Sequence, residues 1–318
     1  MLNKHHPEMT HLPAHRYQFN CRVLQPLNLN LYSGSMLRGA FGRALRKSVC
    51  VTRGDDCKAC LLYRQCSYPK IFETPPPANA AFQAFSEIPN AFVIEPPPMG
   101  RRQLQAGDTF SFDMVLIGRA VDDLPIVIHA WQTALKAGLG AQHAEAELTD
   151  VVFEPGQPVE QIIYPTGGEN RLSPAPPFQP EPLPATDRIT LQLRTPLRIK
   201  HRGKVLSNAL RGKDFLLALV RRYYLLQEFH GRDYQAPDFH ALAHAAEAVE
   251  ADHQLNWCQW ERYSSRQKQT MTFGGVIGTL RLEGDLAPFL PLLQQGQWLH
   301  VGNKTTFGMG HYAITAQH

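Results

Sequence analysis

The stretch CVTRGDDCKACLLYRQC sets Cys50, Cys57, Cys60 and Cys66 with six, two and five residues between them. Thiols at that spacing predict metal chemistry. The central C-x2-C is the knuckle by which two thiolates grip one ion, and the outer pair completes a tetrahedral sulfur set. A closed four-thiolate site with no redox demand points first to structural zinc, while an iron-sulfur cluster would use the same ligands. In a reducing compartment these thiols stay unpaired. Cys21 and Cys258 stand alone in strand-like runs and read as core residues.

A second group with chemical potential is WLHVGNKTTFGMGHYAI, residues 298–314, where three glycines and a lysine lie between two apolar, strand-like runs. A loop that cradles nucleotide phosphates in a dinucleotide or Walker fold feeds a helix. Here the following HYAITA alternates in the manner of a strand, so the loop must serve another phosphate-bearing ligand. Gly302, Gly308 and Gly310 let backbone amides approach an anion, and Lys304, Thr305 and Thr306 add donors. The plainer reading is that the glycines permit a tight connection.

Cations cluster elsewhere. Between Arg198 and Arg222 stand eight lysines and arginines, Lys200, Arg202 and Lys204 among them, against the single acid Asp214. MLRGAFGRALRKSV carries Arg38, Arg43, Arg46 and Lys47 with no acid, and RYSSRQK interleaves Arg262, Arg266 and Lys268 with Tyr263. Clustered cations are the footprint of a polyanion groove, although a solvated helix face or strand end accounts for each run by itself. The net charge of +4 alone says little about partners.

These groups need elements to position them. SPAPPFQPEPLPATD, residues 173–187, is proline-rich enough to resist helix and sheet and divides the chain into parts 1–172 and 188–318. In the second part ITLQLRTPLRIK alternates as a strand, and GKDFLLALVRRYYLLQEFH and PDFHALAHAAEAVEADH have helical spacing. WCQWERYSS and MTFGGVIGTLRLEG read as strands, and LAPFLPLLQQG as a short helix. That order predicts a βαββαβ, ferredoxin-like unit. The first part reads as a disturbed copy. YQFNCRVLQPLNLNL is a strand, MLRGAFGRALRKSV a helix, and TFSFDMVLIG a strand. LPIVIHAWQTALKAGLG reads as a strand end running into a helix, and AELTDVVFEP as a further strand. The cysteine block 50–66 and a proline-punctuated stretch from Pro75 to Pro98 are inserted. The expected class is α+β, two tandem ferredoxin-like halves with a cleft between them. No apolar run of about 18 residues is present, and MLNKHHPEMTHLPAHRYQ is too polar for a secretory signal. A cytoplasmic location is expected.

HVGNKTTFGMGHY, WERYSSRQKQ followed by FGGVIG, and GSMLRGAFGRALR with its cysteine block together resemble the CRISPR precursor-RNA processing endoribonucleases of the RAMP superfamily, from about Leu31 onward. The most specific part is the glycine-rich loop between the last helix and last strand of a second ferredoxin-like, RRM-like domain. The resemblance implies a metal-independent ribonuclease that cuts CRISPR repeat RNA, hairpin or single-stranded, to release guide RNAs. It then retains the product or delivers it to other effector subunits. No membrane and no small-molecule substrate is implied.

RNA brings its own nucleophile, the 2′-hydroxyl. A protein need only deprotonate it, protonate the departing 5′-oxygen and stabilise charge on the phosphorane. The products would be a 2′,3′-cyclic phosphate and a 5′-hydroxyl. Histidine, tyrosine, lysine and arginine suit those tasks, and the carboxylate constellation of two-metal nucleases is not evident. Many members of the resembled family carry a histidine in or near the helix after the first strand, whereas this chain has Arg38, Arg43 and Arg46 there and no histidine between His15 and His129. His201 in IKHRGK, with cations beside it, and His15 are the candidate bases, and Tyr263 and Arg38 the candidate partners in catalysis. Tyr263 could also stack on a base and Arg266 grip a phosphate. Two other classes fit the same residues: a noncleaving guide-RNA-binding subunit, and a metal-stapled DNA-binding regulator using the cysteine block as a finger.

Overall fold

The computed structural model describes residues 12–75, 88–165, 171–207, 209–264 and 269–317, with backbone alone at 262–264, 269–271 and 316–317. Alternation in AHRYQFNCRV produces β1 (Ala14–Val23), which turns Tyr17, Phe19 and Cys21 to one face. The chain continues through β2 (Leu27–Leu29) into α1 (Gly34–Val49), whose Leu37, Phe41, Ala44 and Leu45 cover that face. After the cysteine block come α2 (Ser67–Phe72), β3 (Phe92–Glu95), β4 (Arg102–Leu104) and β5 (Thr109–Ile117). Then follow α3 (Leu124–Lys136), β6 (Ala146–Phe153) and β7 (Gln161–Pro165). The main sheet runs β3-β5-β1-β6-β7, antiparallel throughout, with Phe19 opposite Phe112 and Tyr17 opposite Met114.

The second half repeats the plan. β8 (Arg188–Leu197) leads through a small hairpin, β9 (Lys200–His201) and β10 (Lys204–Val205), into α4 (Gly212–His230) and α5 (Phe239–Glu247). Two long strands, β11 (Glu250–Ser264) and β12 (Gln269–Glu283), precede α6 (Leu290–Leu299) and β13 (Tyr312–Gln317). Their order is β11-β12-β8-β13. In both sheets the first strand lies inside, between the third and fourth of its βαββαβ unit, and the second takes an edge, so the chain is a tandem of ferredoxin-like units.

The halves share apolar surface. The face of the first sheet turned away from α1 and α3 presents Val93, Val115 and Ile117, which pack in one core with Leu219 of α4 and with Leu293 and Leu299 of α6. Burying both faces of the first sheet removes most of its apolar area from water, at about 25 cal/mol per Å², and fixes α4 and α6 against the amino-terminal half. No helix among the described residues is long and apolar enough to cross a membrane.

Several elements differ from the sequence expectation. WLHV is not a strand: Trp298 and Leu299 close α6, so the glycines join a helix to a strand. LPIVIHAWQTALK contains no strand end. A 3-10 turn, Gly118–Asp123, runs straight into α3, because Pro125 fixes φ for the first helical turn. β3 was hidden in the proline-punctuated stretch, since FVIE is buried at every position and carries no alternation. The helical reading of PDFHALAHAAEAVEADH ends at Glu247, and EADH opens β11, well before Trp257. β7 went unread.

Candidate nucleic-acid interface

A groove of ≈ 1070 Å³ opens where α1 and α2 face α4, the β9–β10 hairpin and the glycine loop. Among its described lining residues, Arg38, Lys58, Lys200, Arg211, Lys213, Arg221, Arg222 and Lys304 are cationic, against Glu73 and Asp214. Asp214 is already engaged: Arg211 donates to its two oxygens at 2.9 and 3.0 Å, and that pairing holds the Asp214 carboxyl below its usual range despite partial burial. Lys213 pairs with the exposed Glu247. The space between the halves is thus strongly positive, as a phosphodiester path requires.

Arg38 belongs to the groove because α1 begins against the glycine loop. A Cβ on Gly34 would lie 2.0 Å from the carbonyl oxygen of Phe307, so only glycine allows this approach. One turn on, Arg38 Nε donates to Thr306 Oγ1 at 3.1 Å, and the guanidinium lies over Phe72 and Phe307, 4.2 and 5.1 Å from the ring centroids. The arginine is therefore held flat between the two halves. Lys304 adopts a left-handed conformation, φ 65°, and Thr305 is buried beneath it.

The remaining predicted residues divide. His201 and Lys200 line the groove from the hairpin, whose turn residues Arg202 and Gly203 both have positive φ, while Arg202 and Lys204 are exposed outside the lining. Gly302 lines it too. Gly308 and Gly310 are buried, and their amides donate to Thr305 O at 2.7 Å and Pro196 O at 3.1 Å, so these two serve the turn itself. Arg43 and Lys47 are exposed on α1 away from the lining. Arg46 instead anchors the cysteine block, donating from Nη2 to the carbonyls of Gly54 and Asp55 at 2.5 and 2.8 Å. His15 packs edge-on against Phe153, ring centroids 5.4 Å apart, and is not among the lining residues. Arg262 and Tyr263 lie on β11 with their side chains outside the described residues, as are Arg266 and Lys268 altogether.

Sequence reasoning placed Arg222 in a basic run without giving it a role. In the structure it is 8% exposed at the groove floor. Its Nε donates to Leu299 O at 2.6 Å, and its Nη2 is buried without a hydrogen-bond partner. Burial without a carboxylate pushes the guanidinium down to about 9. A signal was available: Arg222 falls three residues after Leu219 and four before Leu226, on the apolar stripe of its helix. Lys58 and Tyr63 were also missed, because nothing in the cysteine block shows that it faces another half of the chain.

A second polar cluster pins the halves. Arg16 of β1 holds Glu95 of β3 through Nε and Nη2, both at 2.9 Å, and His300, after α6, meets Glu95 Oε1 through Nε2 at 2.7 Å. Burial raises Glu95, but Arg16, His311 and His300 outweigh it and hold the carboxylate well below its usual range. His311 stacks on His300, 4.8 Å between centroids, and burial lowers it to about 3. Glu95, His300 and His311 bring three ligand atoms within 4.8 Å of one another. Arg16 supplies the positive charge that a cation would bring there, so the cluster reads as a junction between halves.

Cys50, Cys57, Cys60 and Cys66 line one small cavity of ≈ 30 Å³ beside the groove. The thiols ring it without forming a group of three within 4.8 Å. Thr52 Oγ1 lies between two of them, 3.8 Å from Cys50 Sγ and 3.6 Å from Cys60 Sγ.

Comparison with known proteins agrees with this architecture. Residues 12–177 match the AF_1859_N amino-terminal domain, and residues 191–312 match the CRISPR-associated endoribonuclease Cas6. A relative from Archaeoglobus fulgidus, an uncharacterized protein, is 25% identical over 89% of this chain and 91% of its own. The fold is similar to that of a Thermus thermophilus Cas6: TM-score 0.53, 13% identity, 96% of this chain and 100% of that one. For the product complex of the same Cas6 the values are 0.59, 16%, 95% and 99%. A Cas6-related protein from Pyrococcus furiosus matches with TM-score 0.50 at 8% identity, over 96% of this chain and 100% of that one. The amino-terminal half thus matches the AF_1859_N domain and the carboxyl-terminal ferredoxin-like unit the Cas6 endoribonuclease family, in line with the resemblance to the CRISPR precursor-RNA processing enzymes of the RAMP superfamily.

Proposed function

We propose that the protein cuts CRISPR precursor RNA within its repeats by attack of a ribose 2′-hydroxyl, leaving a 2′,3′-cyclic phosphate and a 5′-hydroxyl. The observation that carries this reading is the groove, where eight cationic side chains and a histidine from both halves converge and only Glu73 and Asp214 are acidic. Such a lining attracts a phosphodiester and offers no carboxylate pair for a two-metal mechanism. His201 is the described histidine of the groove and is assigned the proton from the 2′-hydroxyl. Arg38, Lys304 and Arg222 are assigned to the scissile phosphate and the charge that grows on it. Tyr263 is retained as a candidate proton donor or stacking partner.

The experiment is incubation of the full chain with a structured repeat RNA in EDTA, beside the same RNA with a single 2′-deoxy sugar at the cut. A defined cut in the first and none in the second supports the assignment. Equal cleavage of both removes the 2′-hydroxyl as nucleophile. A second reading, a noncleaving guide-RNA binder, is favoured by α1 carrying no histidine, and it predicts tight binding without a cut. Product hand-off to other CRISPR proteins is part of the proposal. It draws support from a fold neighbour in a partial Cas6-RT-Cas1--Cas2 complex, of which this chain covers 46% of that chain at 15% identity and TM-score 0.51.

A further inference from the structure

The cysteine block shares a wall with the groove. Its C-x2-C turn is closed by the amide of Cys60 donating to Cys57 O at 3.2 Å. The chain then coils tightly, with Tyr63 N–H on Cys60 O at 2.9 Å and Cys66 N–H on Leu62 O at 2.8 Å. These bonds bring Cys50, at the end of α1, and Cys66, at the start of α2, to the same cavity as the knuckle. Lys58, between the knuckle cysteines, lines the groove, and Tyr63 lines both the groove and the thiol cavity.

We propose that Cys50, Cys57, Cys60 and Cys66 bind one zinc ion as thiolates, and that this staple holds Lys58 and Tyr63 in the groove wall, where they take a phosphate and a base of the bound RNA. The second half of the proposal rests on the groove being the RNA path. Apart from the Arg46 hydrogen bonds to Gly54 and Asp55, little else fixes the block. Only Cys57 and Cys66 of the four thiols pack on the first core, while Val51 and Leu61 are 79% and 89% exposed. A segment with so little buried apolar surface cannot offset its ordering entropy unless it is cross-linked. The donor set is soft and suits zinc. A cavity of ≈ 30 Å³ has room for a single ion. A thiol sulfur moves by roughly 3 Å between staggered rotamers, enough to close the ring once Thr52 Oγ1 turns away. Loading releases the thiol protons to solvent. Tyr63 offers a ring for stacking, and Lys58 a point charge for a phosphate.

The test measures metal by mass spectrometry in the purified full chain, and repeat-RNA affinity by filter binding. One zinc per chain is expected in the wild type, with loss in Cys57→Ser/Cys60→Ser. The variant Lys58→Ala/Tyr63→Ala is expected to keep its zinc and bind RNA about tenfold more weakly. No zinc in the wild type, or iron with a visible absorption band, overturns the metal assignment. RNA affinity unchanged in Lys58→Ala/Tyr63→Ala overturns the link to the groove while leaving the groove reading intact. If the wild type binds no RNA, both the groove reading and the link fall, and the zinc count is judged alone.

Discussion

Arg222 and Leu299 join α4 to the end of α6: the arginine Nε donates to the leucine carbonyl at 2.6 Å, and its Nη2 is left buried and unpartnered at the floor of the groove. A buried guanidinium with no carboxylate carries a desolvation cost that an incoming phosphate would relieve. Arg222→Met should weaken repeat-RNA binding by about tenfold, the value of about one charge-assisted hydrogen bond. It should not lower the thermal midpoint, because the unpaired charge leaves with the side chain. Filter binding and thermal denaturation of the same sample check both, and a fall in stability with unchanged affinity would assign Arg222 to the scaffold.

Arg38 is held flat between Phe72 and Phe307 with Nε on Thr306, and the proposed mechanism assigns it to the charge on the phosphorane. Arg38→Ala should lower single-turnover cleavage by about 10²-fold or more, with a much smaller loss of binding. Arg38→Lys should not restore it, since an ammonium cannot reproduce the planar stacked fork. His201→Ala should likewise lower cleavage by about 10²-fold while binding changes only a few-fold. Single-turnover rates at saturating protein separate the two steps.

Gly310 is required by shape alone. Its φ is +76°, and a Cβ there would lie 1.9 Å from Val301 O. Gly310→Ala should therefore cost about 2 kcal/mol or more of stability, measured by urea denaturation, and should lower soluble yield.

Asp113, on β5, carries a buried oxygen without a partner, and burial with the nearby Glu95 pushes its pKa up to about 7. Its folded pKa lies above the unfolded value of about 3.9. The stability it contributes is fully present below the unfolded value and is lost as pH rises through about 7. Asp113→Asn should raise stability at pH 8 by up to about 4 kcal/mol and change it little at pH 4. Urea midpoints at the two pH values decide it. An equal shift at both would exclude ionisation as the cause.

Much of the fold was legible where local pattern and tertiary role coincide. GKDFLLALVRRYYLLQEFH is helical at the residues its spacing marks, and TFSFDMVLIG and HYAITA are strands for the same reason. FVIE was illegible because a strand buried on both faces has no alternation to read. WLHV was misread because a helix end buried all round has the composition of a strand. The glycines were marked as special, but which of them line the groove was not: Gly302 does, while Gly308 and Gly310 are buried in the turn.

By itself the sequence determined the residue chemistry: four thiols at metal spacing, an acid-poor run of cations, and two rounds of strand and helix periodicity, because composition and spacing are local quantities. Only the tertiary structure decided which cations share a space. Arg38 and Thr306 are hundreds of residues apart and meet because α1 starts against Phe307. Arg222 becomes an uncompensated charge only when α6 brings a carbonyl to it and nothing acidic. Burial and proximity arise from packing between halves, and no periodicity within either half encodes them.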